Sequence, residues 1–376
     1  VLESIPDSFS VALRLGPFPQ ERPRLSEGPA GTIMNSYNVG IIGYGWVAGA
    51  HIAALQATGR ARITSILSSR PLDETRLSAQ YGHPVRVYRD LGAFLAQPDM
   101  QVVSICSYPQ EHARQAVAAA RAGKHLILEK PVALNRDELA EVRHAVQAAG
   151  VRTCVCFECR YSGQVRTAKA FVDQGLLGRV HYAEVDYFHG IGPWYGQFRW
   201  NTRKASGGSS LLSAGCHAMD ALLHLMGADV EVVSGYSTHS SSQDFASYEY
   251  PTTSVTLLRF RDGRVGKCAS VIDCHQPYYF RIHLVGSEGT LLDDKFYSTR
   301  LGGLSKKEWS RLGVPLLDSG DVNDHPYQAQ FEAFFNALDQ GQEMPLTSLA
   351  DAAITHEIIF AADHSAALHD RKHPVA

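Results

Sequence analysis

Two side chains of this 376-residue chain have the type and setting for proton chemistry. Lys130 stands in "HLILEKPVAL", at the end of an apolar strand and between Glu129 and Pro131. A lysine there can stay cationic and polarise a hydroxyl or carbonyl, or, when desolvated, fall into acid–base range. Most lysines are surface residues; the strand-end position argues against that fate here. His217 stands in "GGSSLLSAGCHAMD", Gly207 to Asp220, where glycine and serine open an amphipathic run. This pattern predicts a loop feeding a helix N-terminus, where backbone can approach a ligand closely. Taken alone, the stretch favours an ordinary core histidine over a proton carrier.

A third group has the spacing for phosphate binding. In "YNVGIIGYGWVAGAHIAAL", Gly43, Gly45 and Ala48 form G-x-G-x-x-A between an apolar strand and a helix. The first glycine permits a tight turn and the second lets backbone approach a pyrophosphate. The alanine lets the helix lie close to the sheet. The motif is weak by itself and gains weight from its strand–turn–helix setting.

The elements that must position these residues alternate. "ARITSILSSR", "VRVY", "QVVSICSYPQ" and "HLILEKPVAL" are read as strands, separated by helices such as "RLSAQYG", ended by Gly82, and "EHARQAVAAARAG", ended by Gly123. Regular alternation predicts an α/β fold with a doubly wound parallel Rossmann sheet. Ligands of such sheets sit beyond the C-terminal strand ends. Here that edge comprises Gly43, Gly45, Trp46 and Val47, then Ser68, Ser69 and Arg70, then Ser107 and Tyr108, and finally Glu129 and Lys130. The second strand ends in "SSR" where an NAD site usually carries a carboxylate. Ser69 and Arg70 suit a 2′-phosphate, so the cofactor is read as NAD or NADP with a lean to NADP. A solvated Arg70 without a role is the alternative.

After "VRTCVCFECRY" the pattern becomes long, partly alternating strands, predicting an α+β domain with a large, mostly antiparallel open sheet. The expected domains are 35–157 for the dinucleotide and 158–376 for substrate and oligomerisation, with the final helices returning to the first domain. Residues 1–34 are rich in Pro and Gly without hydrophobic period and are read as an extended or disordered arm. Met34 is read as the natural start, with an arm that wraps a partner subunit as the alternative.

Composition bounds the function. The charge of -3 and the absence of a basic stripe argue against nucleic acid. The apolar runs are too short for a membrane span and no signal-peptide pattern opens the chain. Seven cysteines without framework spacing point to a reducing cytoplasm. Cys154, Cys156 and Cys159 in "CVCFEC" are read as buried thiols, because no second ligand pair completes a zinc site, and no metal is expected.

Four segments in order carry a family resemblance: "VGIIGYGWVAGAHIAAL", "VYRDLGAFLAQPDMQVVSICSYPQEHARQAVAAARAGKHLILEKPVAL", "GGSSLLSAGCHAMDALLHLMG" and "HPYQAQFEAFFNALDQGQ". The chain resembles the glucose-fructose oxidoreductase / inositol dehydrogenase / MocA family from about Tyr37 onward. The resemblance implies a nicotinamide-dependent dehydrogenase of sugars, polyols or cyclitols. It makes Lys130 the catalytic-site lysine and lets Glu129 and Pro131 shape the nicotinamide pocket. It also makes His217 the group that exchanges a proton with the substrate hydroxyl, a task suited to imidazole. A homo-oligomer, dimer or tetramer, is expected through the open face of the second sheet.

One departure stands out. The inositol dehydrogenase branch commonly has an aspartate four residues before this histidine; here the position is Ser213. One helical turn would place both on one face, so a weaker or rearranged relay is expected. Asp220 is read as a brace and His112 as a packing or hydrogen-bonding residue. "GPWYGQFRWN", with Trp194, Arg199 and Trp200, is a candidate substrate wall. Arg160 and Tyr161 match a family segment near the active site and join it. Two other functions stay open: an NAD-dependent glycosidase working by transient oxidation, and a non-catalytic NAD(P)-binding regulator.

Overall fold

The computed structural model describes residues 11–12 and 35–369. The arm expected over residues 1–34, Met34 included, lies outside the described residues apart from Val11–Ala12 (β1), whose backbone pairs antiparallel with Val232–Val233.

The first layer is built from Tyr37–Ile42 (β2), Ala61–Leu67 (β3), Arg86–Tyr88 (β4), Val102–Ile105 (β5), His125–Leu128 (β6) and Thr153–Val155 (β7). They form one parallel sheet in the order β4-β3-β2-β5-β6-β7. The helices between them are Trp46–Ala57 (α1), Glu74–Tyr81 (α2), Leu91–Leu95 (α3), Pro109–Arg121 (α4) and Arg136–Ala149 (α5). Helices cover both faces, which is why β5 reads Val-Val-Ser-Ile and is buried throughout. The strand order reverses between β2 and β5, and a crevice opens beyond their C-terminal ends. The strand β7, inside the cysteine-rich stretch, is a sixth parallel strand beyond the five read from the sequence.

The second layer contains Val180–Phe188 (β8), Val230–Thr238 (β9), Thr253–Phe260 (β10), Val265–Val271 (β11), Tyr279–Gly286 (β12), Gly289–Leu292 (β13), Lys295–Ser298 (β14) and Ser310–Arg311 (β15). The sheet runs β1-β9-β10-β11-β8-β12-β13-β14-β15, antiparallel except for the parallel pair β11–β8. In β10 every second residue is buried, as alternation requires when one face meets a core.

Its helices are Gly163–Asp173 (α6), the one-turn Phe198–Asn201 (α7) and Lys204–Gly207 (α8), Cys216–Met226 (α9), Tyr327–Asp339 (α10) and Leu349–His369 (α11). Helix α9 packs on β8 and β11, placing His217 against the sheet's inner face. Helix α10 packs on α1 and β7. Helix α11 lies chiefly on β9 and α9, with lesser contacts to α5 and β7, so it ties the two layers together. No helix among the described residues is long and apolar enough to cross a membrane.

Candidate active site

The glycine turn joins β2 to α1. Gly43 has φ +86°, and a Cβ there would lie 2.8 Å from the Cys106 carbonyl oxygen, so both backbone sign and space demand glycine. Gly45 is different. It caps α1 without a side-chain acceptor, and a Cβ on it would meet nothing within 4 Å. The helix N-terminus therefore faces open space with free N–H groups, which fits an anionic ligand.

The end of β3 lies beside this turn. Arg70 is exposed and donates to the Tyr44 carbonyl at 2.5 Å, so its guanidinium sits over the glycine turn. The Ser68 hydroxyl is buried and accepts from the Arg70 amide at 3.1 Å; the Ser69 carbonyl accepts from Arg89 at 2.8 Å. At the end of β5, Ser107 donates to Gln115, and exposed Tyr108 faces Trp200 of the second domain at 6.0 Å.

At the end of β6, Lys130 donates to the Ser213 carbonyl at 3.2 Å. Burial works against its charge, but the surrounding groups, with the Glu129 and Glu158 carboxylates among them, outweigh it and hold the ammonium above the ordinary lysine range. Glu129 accepts from the Lys130 amide at 3.1 Å, and from Tyr327 and His51, each at 2.9 Å. It therefore fastens the lysine's backbone to α1 and α10.

His217 is buried at the first turn of α9. Its Nε2 lies 3.8 Å from Glu158 Oε1, while its Nδ1 has no hydrogen-bond partner. Burial lowers its pKa to about 4 against the opposing pull of Glu158, so the imidazole is neutral at neutral pH. The carboxylate Glu158 sits just past β7, and His325 Nδ1 is 2.8 Å from the same oxygen. Residues Leu211–Gly215 form a π-helical turn that leads into α9, and Ser213 and His217 both line one cavity. Ser213 contributes its carbonyl to Lys130, and the carboxylate near the histidine comes from Glu158.

One cavity gathers Val47, Glu129, Lys130, Ser213 and His217, together with Tyr187, Ile191, Tyr195, Gln197, Tyr278, His325 and Tyr327. The "GPWYGQFRWN" segment thus supplies Tyr195 and Gln197 to it. Trp194 does not line it; its indole donates to Gly190 and its ring meets Phe245. Arg199 is exposed, and Trp200 pairs with Tyr108 outside the cavity. Trp46 meets Tyr195 edge-on at 5.6 Å. Arg160, read as a possible substrate contact, is buried, donates twice to Asp220 at 2.6 Å and once to Leu346, and does not line the cavity. Tyr161 packs in the core beneath, also away from the cavity. Asp220 braces as expected, taking Thr355 as well. His112 bridges the Ser107 and Pro131 carbonyls.

Cys154, Cys156 and Cys159 are buried free thiols. His51, Glu129 and Cys156, and likewise Glu158, Cys159 and His217, bring three potential ligand atoms within 4.8 Å, and in each group the carboxylate already pairs with a histidine. Reading from sequence passed over Glu158, His325 and His51. The rule that singled out Lys130, a charged residue at the ligand edge of a strand, applies equally to Glu158; the neighbouring cysteines drew attention from it.

Comparison with known proteins agrees with this fold. Residues 37–157 match the model of the oxidoreductase family with an NAD-binding Rossmann fold, and residues 165–292 match the GFO/IDH/MocA C-terminal domain. The chain is 25% identical to myo-inositol 2-dehydrogenase of Thermotoga maritima over 69% of this chain and 76% of that protein. It is 24% identical to D-glucoside 3-dehydrogenase of Escherichia coli over 87% and 95%. A levoglucosan dehydrogenase in complex with NADH superposes with a TM-score of 0.77 at 23% identity, covering 89% of this chain and 98% of that one, a likeness of fold. The chain belongs to the Gfo/Idh/MocA family and is an NAD(P)-binding oxidoreductase acting on CH–OH groups.

Proposed function

We propose that this protein oxidises a ring hydroxyl of a sugar, anhydrosugar or cyclitol, or reduces the matching ketone, with NADP(H) preferred. The observation that carries this reading is the meeting of Lys130 and His217 in one cavity next to the glycine turn. The cofactor would lie along Gly43–Val47, with Ser69 and Arg70 at its ribose end and Ser107, Tyr108 and Glu129 along its course. When bound, the nicotinamide supplies the hydride acceptor or donor. The chain's own part is proton and charge management. Lys130 stays cationic and steadies the substrate oxygen; neutral His217 takes the hydroxyl proton. Tyr187, Tyr195 and Tyr278 offer aromatic faces to the apolar side of a ring, and Gln197 offers an amide to its hydroxyls.

Arg70 over the glycine turn, with Arg89 at Ser69, supports NADP. We assign residues 35–157 to the dinucleotide domain and residues 158–376 to the substrate domain. On the outer face of the second sheet, Leu257 and Val265 are exposed, which supports a homo-oligomer through that face. Seven free cysteines favour a reducing compartment such as the cytoplasm.

The test is nicotinamide absorbance with NAD⁺ and NADP⁺ against aldoses, ketoses, levoglucosan, disaccharides and inositols. Reduced cofactor with one ring alcohol, faster with NADP⁺, is expected. Silence across the panel despite bound cofactor contradicts the reading.

A further inference from the structure

Spacing in "CVCFEC" offers no second cysteine pair for a metal, yet the fold brings other donors to one of its thiols. His217 Nε2 and Cys159 Sγ stand 3.8 and 4.0 Å from Glu158 Oε1, and the three atoms lie within 4.8 Å of one another. All three residues are buried. Donors around a four-coordinate ion of the zinc class, each bonded at about 2.0–2.3 Å, stand about 3.3–3.8 Å apart, so small side-chain rotations close this cluster on one ion.

A second cluster of the same composition gives the contrast. At His51, Glu129 and Cys156, the carboxylate already accepts from His51, Tyr327 and the Lys130 amide, and His51 Nδ1 meets Ser104 and Cys106. A metal there would break formed hydrogen bonds. At Glu158 the donors are unspent: Oε2 is buried without a partner, and His325 Nδ1, 2.8 Å from Oε1, is not aligned to hydrogen-bond it. Buried polar atoms left in this state cost free energy until a ligand meets them.

We propose that Glu158, Cys159 and His217, with His325 beside them, form a capture site for a divalent ion of the zinc class, and that the bound ion switches the oxidoreductase off. Thiolate and imidazole select such an ion over calcium or magnesium, which take oxygen donors. On binding, the Cys159 S–H bond breaks and its proton leaves to solvent. The sulfur, the His217 Nε2 lone pair and a Glu158 oxygen then each bond to the ion. The carboxylate and the new thiolate carry two negative charges against it; Lys130, which faces the same groups, opposes it. The switch rests on the reading of His217 as proton carrier: with Nε2 on the ion and Nδ1 buried, the ring has no lone pair left for the substrate proton.

The probe is Co²⁺, added to reduced, full-length protein without cofactor. A thiolate-to-cobalt charge-transfer band saturating at one equivalent is expected, and Zn²⁺ should displace the cobalt. Cys159→Ala should lose the band, while Cys274→Ser, at the one cysteine that is not buried, should keep it. No band in the wild type, or a band that survives Cys159→Ala, overturns the site, and the first needs no variant to fold. With levoglucosan or myo-inositol as the alcohol probe, Zn²⁺ should inhibit turnover and a chelator restore it. Cys159→Ala should then need about tenfold more Zn²⁺, or beyond, for the same inhibition. A saturated cobalt spectrum beside full activity with Zn²⁺ would overturn the switch and the reading of His217 together, and leave the metal site standing. Silence with both alcohols counts against the functional reading alone, because the cobalt spectrum needs no turnover.

Discussion

His51 Nε2 and Glu129 Oε1 meet at 2.9 Å with both residues removed from water, one on the glycine-turn helix and the other beside Lys130. Burial opposes charge on each, and their contact, with Cys106 Sγ 3.3 Å from His51 Nδ1, wins: Glu129 is lowered to about 2 and His51 raised to about 10. The stability from Glu129 is present above the ordinary carboxylate pKa and fades as pH falls toward 2. That from His51 is present below the ordinary imidazole pKa and fades as pH rises toward 10. Urea unfolding should therefore show maximal stability near pH 5–6, and His51→Ala should cost about 3–5 kcal/mol by stranding the carboxylate. A wild-type profile flat from about pH 3 to about pH 9 contradicts the pair's charged state.

Lys130 keeps its charge through neutral and mildly alkaline pH because its folded-state pKa lies above the ordinary value. Lys130→Met is expected to lower kcat/KM by about 10²- to 10³-fold with the fold intact. Steady-state rates beside circular dichroism check this; a variant within about threefold of wild type would remove Lys130 from the chemistry.

The two turn glycines should fail in different ways. Gly43→Ala forces a side chain onto a positive φ and against the Cys106 carbonyl, so a lower Tm is expected. Gly45→Ala meets nothing, so the unfolding free energy should stay within about 0.5 kcal/mol of wild type. Its dinucleotide Kd, read by fluorescence titration, should nevertheless rise about tenfold, because the space in front of it belongs to the ligand. Unchanged affinity in Gly45→Ala would place the pyrophosphate elsewhere.

Arg70→Ala should raise KM for NADP⁺ about 10- to 100-fold, the worth of a charge-assisted contact, and leave KM for NAD⁺ within about twofold. Equal loss with both cofactors would show that Arg70 serves the glycine turn through the Tyr44 carbonyl and does not read the 2′ group.

The brace Arg160–Asp220 carries no substrate in this scheme. Asp220→Asn should destabilise by about 3–5 kcal/mol while leaving KM for the alcohol unchanged in the folded fraction. A change in KM at normal stability would return Arg160 to the substrate site.

The sequence alone determined the alternating first layer, the glycine turn, the strand-end lysine and the helix-start histidine, because each is written in neighbouring residues: a hydrophobic period, a turn that tolerates only glycine, a charge where an apolar run ends. It also carried the switch to long alternating strands. Tertiary structure decided the rest. Glu158, His217 and His325 come from three distant segments, and only the packing of α9 on β8 and the return of α10 to β7 bring them together. Only the fold showed that Ser213 offers its carbonyl to Lys130. Arg160 looked available in sequence, yet the fold paired it with Asp220. Local pattern sets which element forms, because backbone geometry repeats over a few residues; which charged groups meet depends on sheet order and burial, where a charge must find a partner from wherever the chain has placed one.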